Sequence, residues 1–330
     1  MKGPAENLLA RLGIHRIETP SPFSSIPTNC YFIHDEKPAL IDTGLATEEA
    51  YQAVSEALAR LNRGTSDIKY IILTHGHADH RALAERIRAE SGAEVFCHPL
   101  EAVRVARVES QVATARRKRE MEFFRSMGVP EELLDTLVDG SQEPVFRPRV
   151  QRVSAINEGD VINLGRTKLR VLHTPGHCSG SVCLYHEDAR LLFTGDTLLP
   201  TSNITAFIEV DRVVEDRLYN PLEIHLRSVG RLTELGAACI LPGHGDVFED
   251  HAAVVDTLID RHFKRQRHIM RALRHGPRTL FEISRSVFMF TPVDDLYLAL
   301  SELFGNLGIL LNAGKVGRYE RNGLLYYEKR

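Results

Sequence analysis

The sequence predicts a layered α/β domain followed by a small unit of helices and one β-hairpin. Three observations carry this reading. Strand-length apolar runs alternate with amphipathic helical stretches over the first hundred residues. A second series of strand-length runs extends from about residue 150 to residue 241. After Asp250 the pattern changes to three helical stretches closed by an Asn-Gly turn.

Taken in order, Cys30 to Ile33 and Ala39-Leu40-Ile41 read as neighbouring strands joined through Asp35-Glu36-Lys37-Pro38, with Asp42-Thr43-Gly44 turning the chain out of the second. Thr47 to Leu61 is a helix opened by a capping threonine with acid in its first turn. Ile68 to Leu73 is a buried strand that runs directly into Thr74-His75-Gly76-His77-Ala78-Asp79-His80. Ala82 to Ala89 reads as helix and Glu94 to Cys97 as strand. From about 99 to 148 the pattern turns to polar, Ala/Arg/Glu-rich helix carrying Arg116-Arg117-Lys118-Arg119. That stretch is a helical insertion, either a lid over a site or a solvated face.

Strands resume near Val150 and continue through Lys168 to Leu172, Ser181 to Tyr185 and Arg190 to Thr194. Leu222 to Leu235 is helical, and Ala237 to Leu241 is a last strand before Pro242-Gly243-His244-Gly245. Val254 to Leu273 forms one long amphipathic helix; others start near Arg278-Thr279 and span Asp294 to Leu310. The segment from Gly314 to Tyr327 reads as a hairpin, because Asn322-Gly323 between apolar runs suits a two-residue turn. Three helices and a terminal hairpin describe a winged helix-turn-helix. The expected domains are residues 1–257, with the insertion inside them, and residues 258–330.

Composition excludes several classes of function. At 330 residues, 43% hydrophobic, 26% charged and a formal charge of -3, the chain can bury a large core and carries no global signature of a nucleic-acid binder. Its longest apolar runs, such as Ile71-Ile72-Leu73, fall far short of the roughly 18 residues that span a bilayer, so no membrane partner is expected. The first residues lack a secretory pattern, and five scattered cysteines without a CxxC fit a reducing, cytoplasmic setting. One local excess stands out: residues 258–330 hold thirteen Lys/Arg against seven Asp/Glu, which keeps nucleic acid in view as an alternative partner.

The chemistry concentrates in the seven-residue loop after Leu73. Three imidazoles and a carboxylate within six positions have no ordinary use in a core, whereas together they suit zinc or a similar borderline metal. Gly76 and Ala78 leave room for the backbone to aim His75 and His77 at one point. Three later segments each place a ligand-type side chain beside glycine at a strand end: Thr174-Pro175-Gly176-His177, Phe193-Thr194-Gly195-Asp196 and Leu241-Pro242-Gly243-His244-Gly245. Cys178, by contrast, reads as a packing residue, His173 as a residue behind the ligands or in the core, and His98 as a residue at the metal edge that could line the pocket.

In this order the motifs resemble those of the metallo-β-lactamase-fold hydrolase superfamily, over roughly residues 14 to 250. The resemblance implies an αββα sandwich with two divalent metal ions, zinc above all with iron or manganese as alternatives, at the edge between the sheets. Carried over, His75, His77 and His177 hold one metal and Asp79, His80 and His244 the second, with Asp196 bridging. Asp42 matches the family's aspartate that orients a ligand histidine, and Asp79 is the residue expected to handle the proton. The implied reaction is attack of metal-bound hydroxide on an ester-like bond.

Subfamily markers narrow the choice. After Asp196 come Thr197-Leu198-Leu199-Pro200-Thr201-Ser202-Asn203, without the glutathione-holding segment of hydroxyacylglutathione hydrolases or the tyrosine of acyl-homoserine lactonases. The C-terminal part is similar to the extension on the lactamase-beta-like endoribonuclease group. The expected substrate is a small acyl compound, thioester or lactone; single-strand ribonuclease activity is the alternative, and a homo-oligomer is compatible with either.

Overall fold

Two packed β-sheets with helices on their outer faces make up the larger part of the computed structural model, which describes residues 4–22, 24–106, 110–139, 148–201, 205–216, 218–289 and 291–330. The elements begin with α1 (Pro4–Arg11), β1 (Ile14–Ser21), β2 (Ser24–Ile33), β3 (Ala39–Ile41), α2 (Glu48–Ala59) and β4 (Tyr70–Ile72). They continue with α3 (Ala78–Arg81), α4 (Ala84–Ser91), β5 (Glu94–Cys97), α5 (Ala102–Val105), α6 (Ser110–Ser126) and α7 (Glu131–Asp139). Next come β6 (Ser154–Ala155), β7 (Val161–Asn163), β8 (Lys168–His173), β9 (Val182–His186), β10 (Leu191–Gly195), α8 (Val210–Glu215) and α9 (Pro221–Thr233). Finally β11 (Cys239–Pro242), α10 (His251–Ala272), α11 (Leu280–Val287), α12 (Leu296–Asn312), β12 (Val316–Arg321) and β13 (Leu324–Lys329) complete the chain.

Contacts group these into two units: residues 1–107, 144–204 and 228–254 in the first, and residues 108–143, 205–227 and 255–330 in the second. In the first, one sheet has the order β1-β2-β3-β4-β5-β6, antiparallel up to β3 and parallel from there on. The other has the order β11-β10-β9-β8-β7, with only β10 and β11 parallel. Successive strand residues point to opposite faces, and the two cores divide accordingly. Ile33, Ile41 and Ile72 meet Leu169, Leu184, Phe193 and Leu241 between the sheets. Their neighbours Phe32, Leu40 and Ile71 face outward onto Val54 and Leu58 of α2 and Ile87 of α4. Cys183, Tyr185 and Leu192 do the same on the second sheet, against Leu232 of α9. This is the αββα arrangement. Strand β1 escaped the sequence reading because its buried isoleucines, Ile14 and Ile17, stand three apart and Pro20 interrupts the run.

Asp35 fastens the two sheets at one end. Its carboxylate accepts from the backbone N–H of Glu36 (2.8 Å), Arg166 (3.2 Å) and Thr167 (2.7 Å), so the β2–β3 turn grips the β7–β8 turn. Burial by itself raises the carboxyl pKa, but these N–H bonds outweigh it and hold Asp35 at about 2. A carboxyl depressed in the folded state stabilises above its unfolded pKa of about 3.9 and loses that contribution as pH falls toward 2. Asp35→Asn is therefore expected to cost about 1–3 kcal/mol at neutral pH. It should also shrink the drop in stability between pH 4 and pH 2. Urea unfolding across that range checks both, and parallel wild-type and variant curves would refute the assignment.

The second unit has its own core. Phe124 of α6, Met127 just after it, Leu134 and Leu137 of α7, Ile269, Leu280, Leu300, Leu303, Leu307 and Tyr327 pack together. Helices α6 and α7, read in the sequence as an insertion in the N-terminal domain, thus share a core with the C-terminal helices; residues 140–147 of that insertion lie outside the described residues. The basic run on α6 is ion-paired within this unit, Arg116 with Glu120 (3.0 Å), Arg117 with Asp135 (2.7 Å) and Arg119 with Asp211 (2.7 Å). On α10, Arg261 and Arg265 both reach Glu302, at 3.0 and 2.8 Å. The hairpin turns at Asn322 and Gly323, both at positive φ (52° and 76°), between the paired residues Arg321 and Leu324. That is the two-residue geometry Asn-Gly favours. No helix among the described residues is long and apolar enough to cross a membrane. All five cysteines are buried thiols.

Candidate metal centre

The parallel strands place the chemistry. Asp42 leaves the C-terminal end of β3 and the His75–His80 loop leaves the adjacent β4. Across the seam, Asp196 follows β10 and His244 follows its parallel neighbour β11, while His177 lies in the turn between β8 and β9. Ligands gather outside the carboxyl ends of parallel strands for the same topological reason in open α/β sheets. β2 pins the His244 turn: Asn29 N–H donates to the Gly243 carbonyl (2.7 Å), and its side-chain amide donates to Pro242 and Gly245 (3.0 and 2.7 Å).

All seven ligand-type residues singled out in the sequence, and Asp42, converge here. Nε2 of His75 lies 3.0 Å from Nδ1 of His77, which lies 3.0 Å from Nε2 of His177. Nε2 of His80 lies 3.3 Å from Nε2 of His244, which lies 3.3 Å from Asp79 Oδ2. Asp196 sits between the trios. Its Oδ1 is 3.4 Å from His80, and its Oδ2 is 3.6 Å from both His177 and His244. Adjacent ligand atoms around a zinc ion with bonds of 2.0–2.1 Å are about 3.3 Å apart, so these spacings fit edges of a coordination shell.

Proton placement supports the same fit. The Thr74 hydroxyl donates to Asp42 Oδ2 (2.7 Å), so its oxygen accepts from His75 Nδ1 (3.1 Å). His80 Nδ1 donates to Asp42 Oδ2 (2.8 Å), and His244 Nδ1 to the Pro27 carbonyl (3.0 Å). Each of these rings turns its Nε2 into the cluster; burial opposes charge on His80 and His244 but Asp196 and Asp79 outweigh it, so a cation there would take the place of their Nε2 protons. Burial, then the neighbouring imidazoles, pushes His75 well below the usual histidine range. Burial also lowers His77, followed by His177 and Arg104. Around Asp196, burial opposes ionisation but His244, His80 and His177 overcome it and hold the carboxyl low. Its Oδ1 is buried and accepts no hydrogen bond from the described residues. Imidazole nitrogens and carboxylates converging in a dry space suit a cation. The close packing extends to Gly243, where a Cβ would collide with Asp196 Oδ1 and His80 Cε1, so no larger residue fits.

A profile of the Metallo-beta-lactamase superfamily matches residues 25–244. The chain belongs to that superfamily. Among metallo-beta-lactamase relatives, a Bacillus subtilis protein described as probable metallo-hydrolase YqjP is 29% identical over 322 residues, covering 94% of this chain and 96% of its own. The crystal structure of the metallo-beta-lactamase family protein TTHA1429 from Thermus thermophilus superposes with a TM-score of 0.80 at 29% identity. It covers 96% of this chain and 99% of its own. A human acyl-coenzyme A thioesterase, MBLAC2, is 33% identical over 126 residues, 35% of this chain and 42% of its own. Membership makes the chain a metal-dependent hydrolase, and its His/Asp/Cys clusters suit the divalent metals the superfamily binds.

Two neighbours of the site, Cys178 and Glu101, carried no sign of that role in the sequence, whereas His98 and His173 did. Cys178, read as a packing residue, has its Sγ 3.3 Å from His77 Nε2, opposite the inward Nδ1. Glu101, within the stretch read as an insertion, is fully buried and bonded to the loops that carry His77 and His177. His98 and His173 stack on each other at 4.1 Å, and His173 Nε2 bonds the Ser179 carbonyl (2.8 Å) behind His177.

Proposed function

We propose that the chain hydrolyses an ester-like bond, a thioester first and a lactone second, with two divalent cations, most simply zinc. His75, His77 and His177 would hold one, Asp79, His80 and His244 the other, and Asp196 would contact both. The observation that carries this is the position of Asp196, whose two oxygens reach histidines of both trios at 3.4–3.6 Å. Cations held there would supply a deprotonated water at neutral pH and a Lewis acid for the substrate oxygen.

The chain's own residues do the remaining work. Asp42 and the Pro27 carbonyl fix the tautomers of His80 and His244. Asp79 is the more open carboxylate, its side chain 31% exposed against 9% for Asp196. Burial disfavours its charge, but His80 and His244 keep it ionised, and its exposure, not its basicity, is what supports a proton-handling role. Thioester cleavage is supported by the printed names of partial relatives, the MBLAC2 acyl-coenzyme A thioesterase and an Aspergillus fumigatus atrochrysone carboxyl ACP thioesterase, of which the chain spans 42% and 44%. We read the C-terminal helices and hairpin as a winged-helix unit. Within it Arg261 and Arg265 are committed to Glu302, while the separate run on α6 pairs with Glu120, Asp135 and Asp211.

The test is a substrate panel on zinc-, manganese- and iron-loaded protein: acyl-CoA and acyl-carrier thioesters, lactones, and labelled single-stranded RNA. Metal-dependent turnover of thioesters or lactones, lost with chelator, is expected. Turnover of RNA alone would replace the ester reading with the nuclease one.

A further inference from the structure

Glu101 stands just before α5, in a turn that follows β5. Its carboxylate is fully buried and divides its two oxygens between two loops. Oε2 accepts from the Gly76 N–H at 3.0 Å, between His75 and His77. Oε1 accepts from the Gly180 N–H at 2.9 Å, three residues after His177. Arg104 lies 3.3 Å from Oε2 and supplies the counter-charge. The other side of the same peptide region is gripped as well, since Arg81 Nε donates to the Gly76 carbonyl at 2.9 Å. The fit leaves no slack. A Cβ on Gly76 would come within 2.5 Å of Glu101 Oε2 and 2.8 Å of Arg104 Cβ, and one on Gly180 within 2.8 Å of Glu101 Cγ.

We infer that Glu101 is a positioning residue that sets the spacing of His75, His77 and His177 by tying the Gly76 and Gly180 backbones to one rigid carboxylate. The inference rests on the reading of those three histidines as one metal's ligands. It is specific to that trio: the clamp reaches the loops of His75, His77 and His177, whereas His80 and His244 take their orientation from Asp42 and Pro27. A carboxylate suits the task because both backbone partners are donors. The isosteric amide can accept from only one of them and turns an N–H toward the other. Losing one such outer partner typically weakens metal binding about 10- to 100-fold.

The experiment measures zinc and cobalt binding to the full chain, wild type and Glu101→Gln, by chelator competition, with cobalt absorption spectra to follow each site. Melting of the metal-free proteins is recorded in parallel. We expect Glu101→Gln to lose about 10- to 100-fold affinity at one of two sites, with the other within about threefold and the matching cobalt band altered. Equal binding at both sites in a wild type and variant that each take up metal would overturn the clamp alone. So would an equal loss at both sites, which marks a general structural effect. A wild type that binds no divalent metal would overturn the metal reading and the clamp with it. If Glu101→Gln does not fold, Gly180→Ala takes its place. Its methyl presses on Glu101 Cγ, and the same one-site loss is expected; unchanged binding by a folded Gly180→Ala would count against the clamp.

Discussion

Asp196→Asn is expected to lower hydrolysis by about 10³-fold or more while leaving the chain folded. The magnitude follows from the several kcal/mol that a bound cation contributes to a charged transition state, at about 1.4 kcal/mol per tenfold in rate. Both oxygens of Asp196 face nitrogen ligands, at 3.4 Å for Oδ1 and 3.6 Å for Oδ2. An amide offers one acceptor and one donor there, so one trio must face an N–H and one cation loses its shared ligand. Metal analysis should fall from two equivalents toward one, and chelator sensitivity should rise in step with the loss of turnover. The asparagine variant is preferable to alanine, because the neighbouring Gly243 leaves the side chain no room to move and alanine would open a cavity. Full activity with two metals retained would remove Asp196 from its shared position.

Asp42→Asn should produce the second-largest effect, through a tautomer. In the native arrangement Asp42 Oδ1 accepts from the Thr74 N–H (2.8 Å), and Oδ2 accepts from the Thr74 hydroxyl and from His80 Nδ1. With an amide nitrogen in place of Oδ2, His80 Nδ1 meets a donor and must become an acceptor. Its proton then moves to Nε2, the atom 3.4 Å from Asp196. The ring stays in place with its lone pair facing the wrong way. Metal affinity on that side should fall about 10- to 100-fold. The backbone does not confound the result: Asp42 sits at φ 54°, a left-handed conformation that asparagine tolerates better than alanine does. Nitrogen-15 shifts of the His80 ring read the tautomer directly. A variant that keeps wild-type metal affinity and an Nδ1-protonated His80 would sink the assignment.

The convergence of these side chains was legible in the sequence because their residue types have no alternative use at strand ends. Histidines and aspartates beside glycine, each following an apolar run, declare both the end of a strand and a requirement for polar partners. Glu101 left no such trace. A single glutamate in a polar, helix-like stretch resembles any solvated acid, and its buried partners lie 25 and 79 residues away. Strand β1 was missed for want of an alternating pattern. The grouping of α6 and α7 with the C-terminal helices was hidden for a related reason. Phe123 and Phe124 sit in a strongly polar helix with Met127 just past its end, and what they pack on, Leu280, Leu300 and Tyr327 among others, lies more than 150 residues further on. Local pattern records which residues avoid water, and distant partners enter only through the fold. The Arg116–Arg119 run shows the converse, since its arginines pair with Glu120, Asp135 and Asp211 of the same unit.

The burial of every cysteine gives the molecule a set of internal reporters. Burial pushes the thiols of Cys183 and Cys239 up to about 11 and that of Cys97 up to about 12, and it raises Cys30 as well. These four sample three layers: Cys30 and Cys97 lie beneath the helices of the first sheet, Cys239 between the sheets, and Cys183 on the outer side of the second. A thiol-reactive dye at neutral pH therefore labels each position only when its layer opens. Mass spectrometry of the labelled peptides over time would rank the layers by opening rate, turning four unremarkable side chains into a map of where the sandwich comes apart.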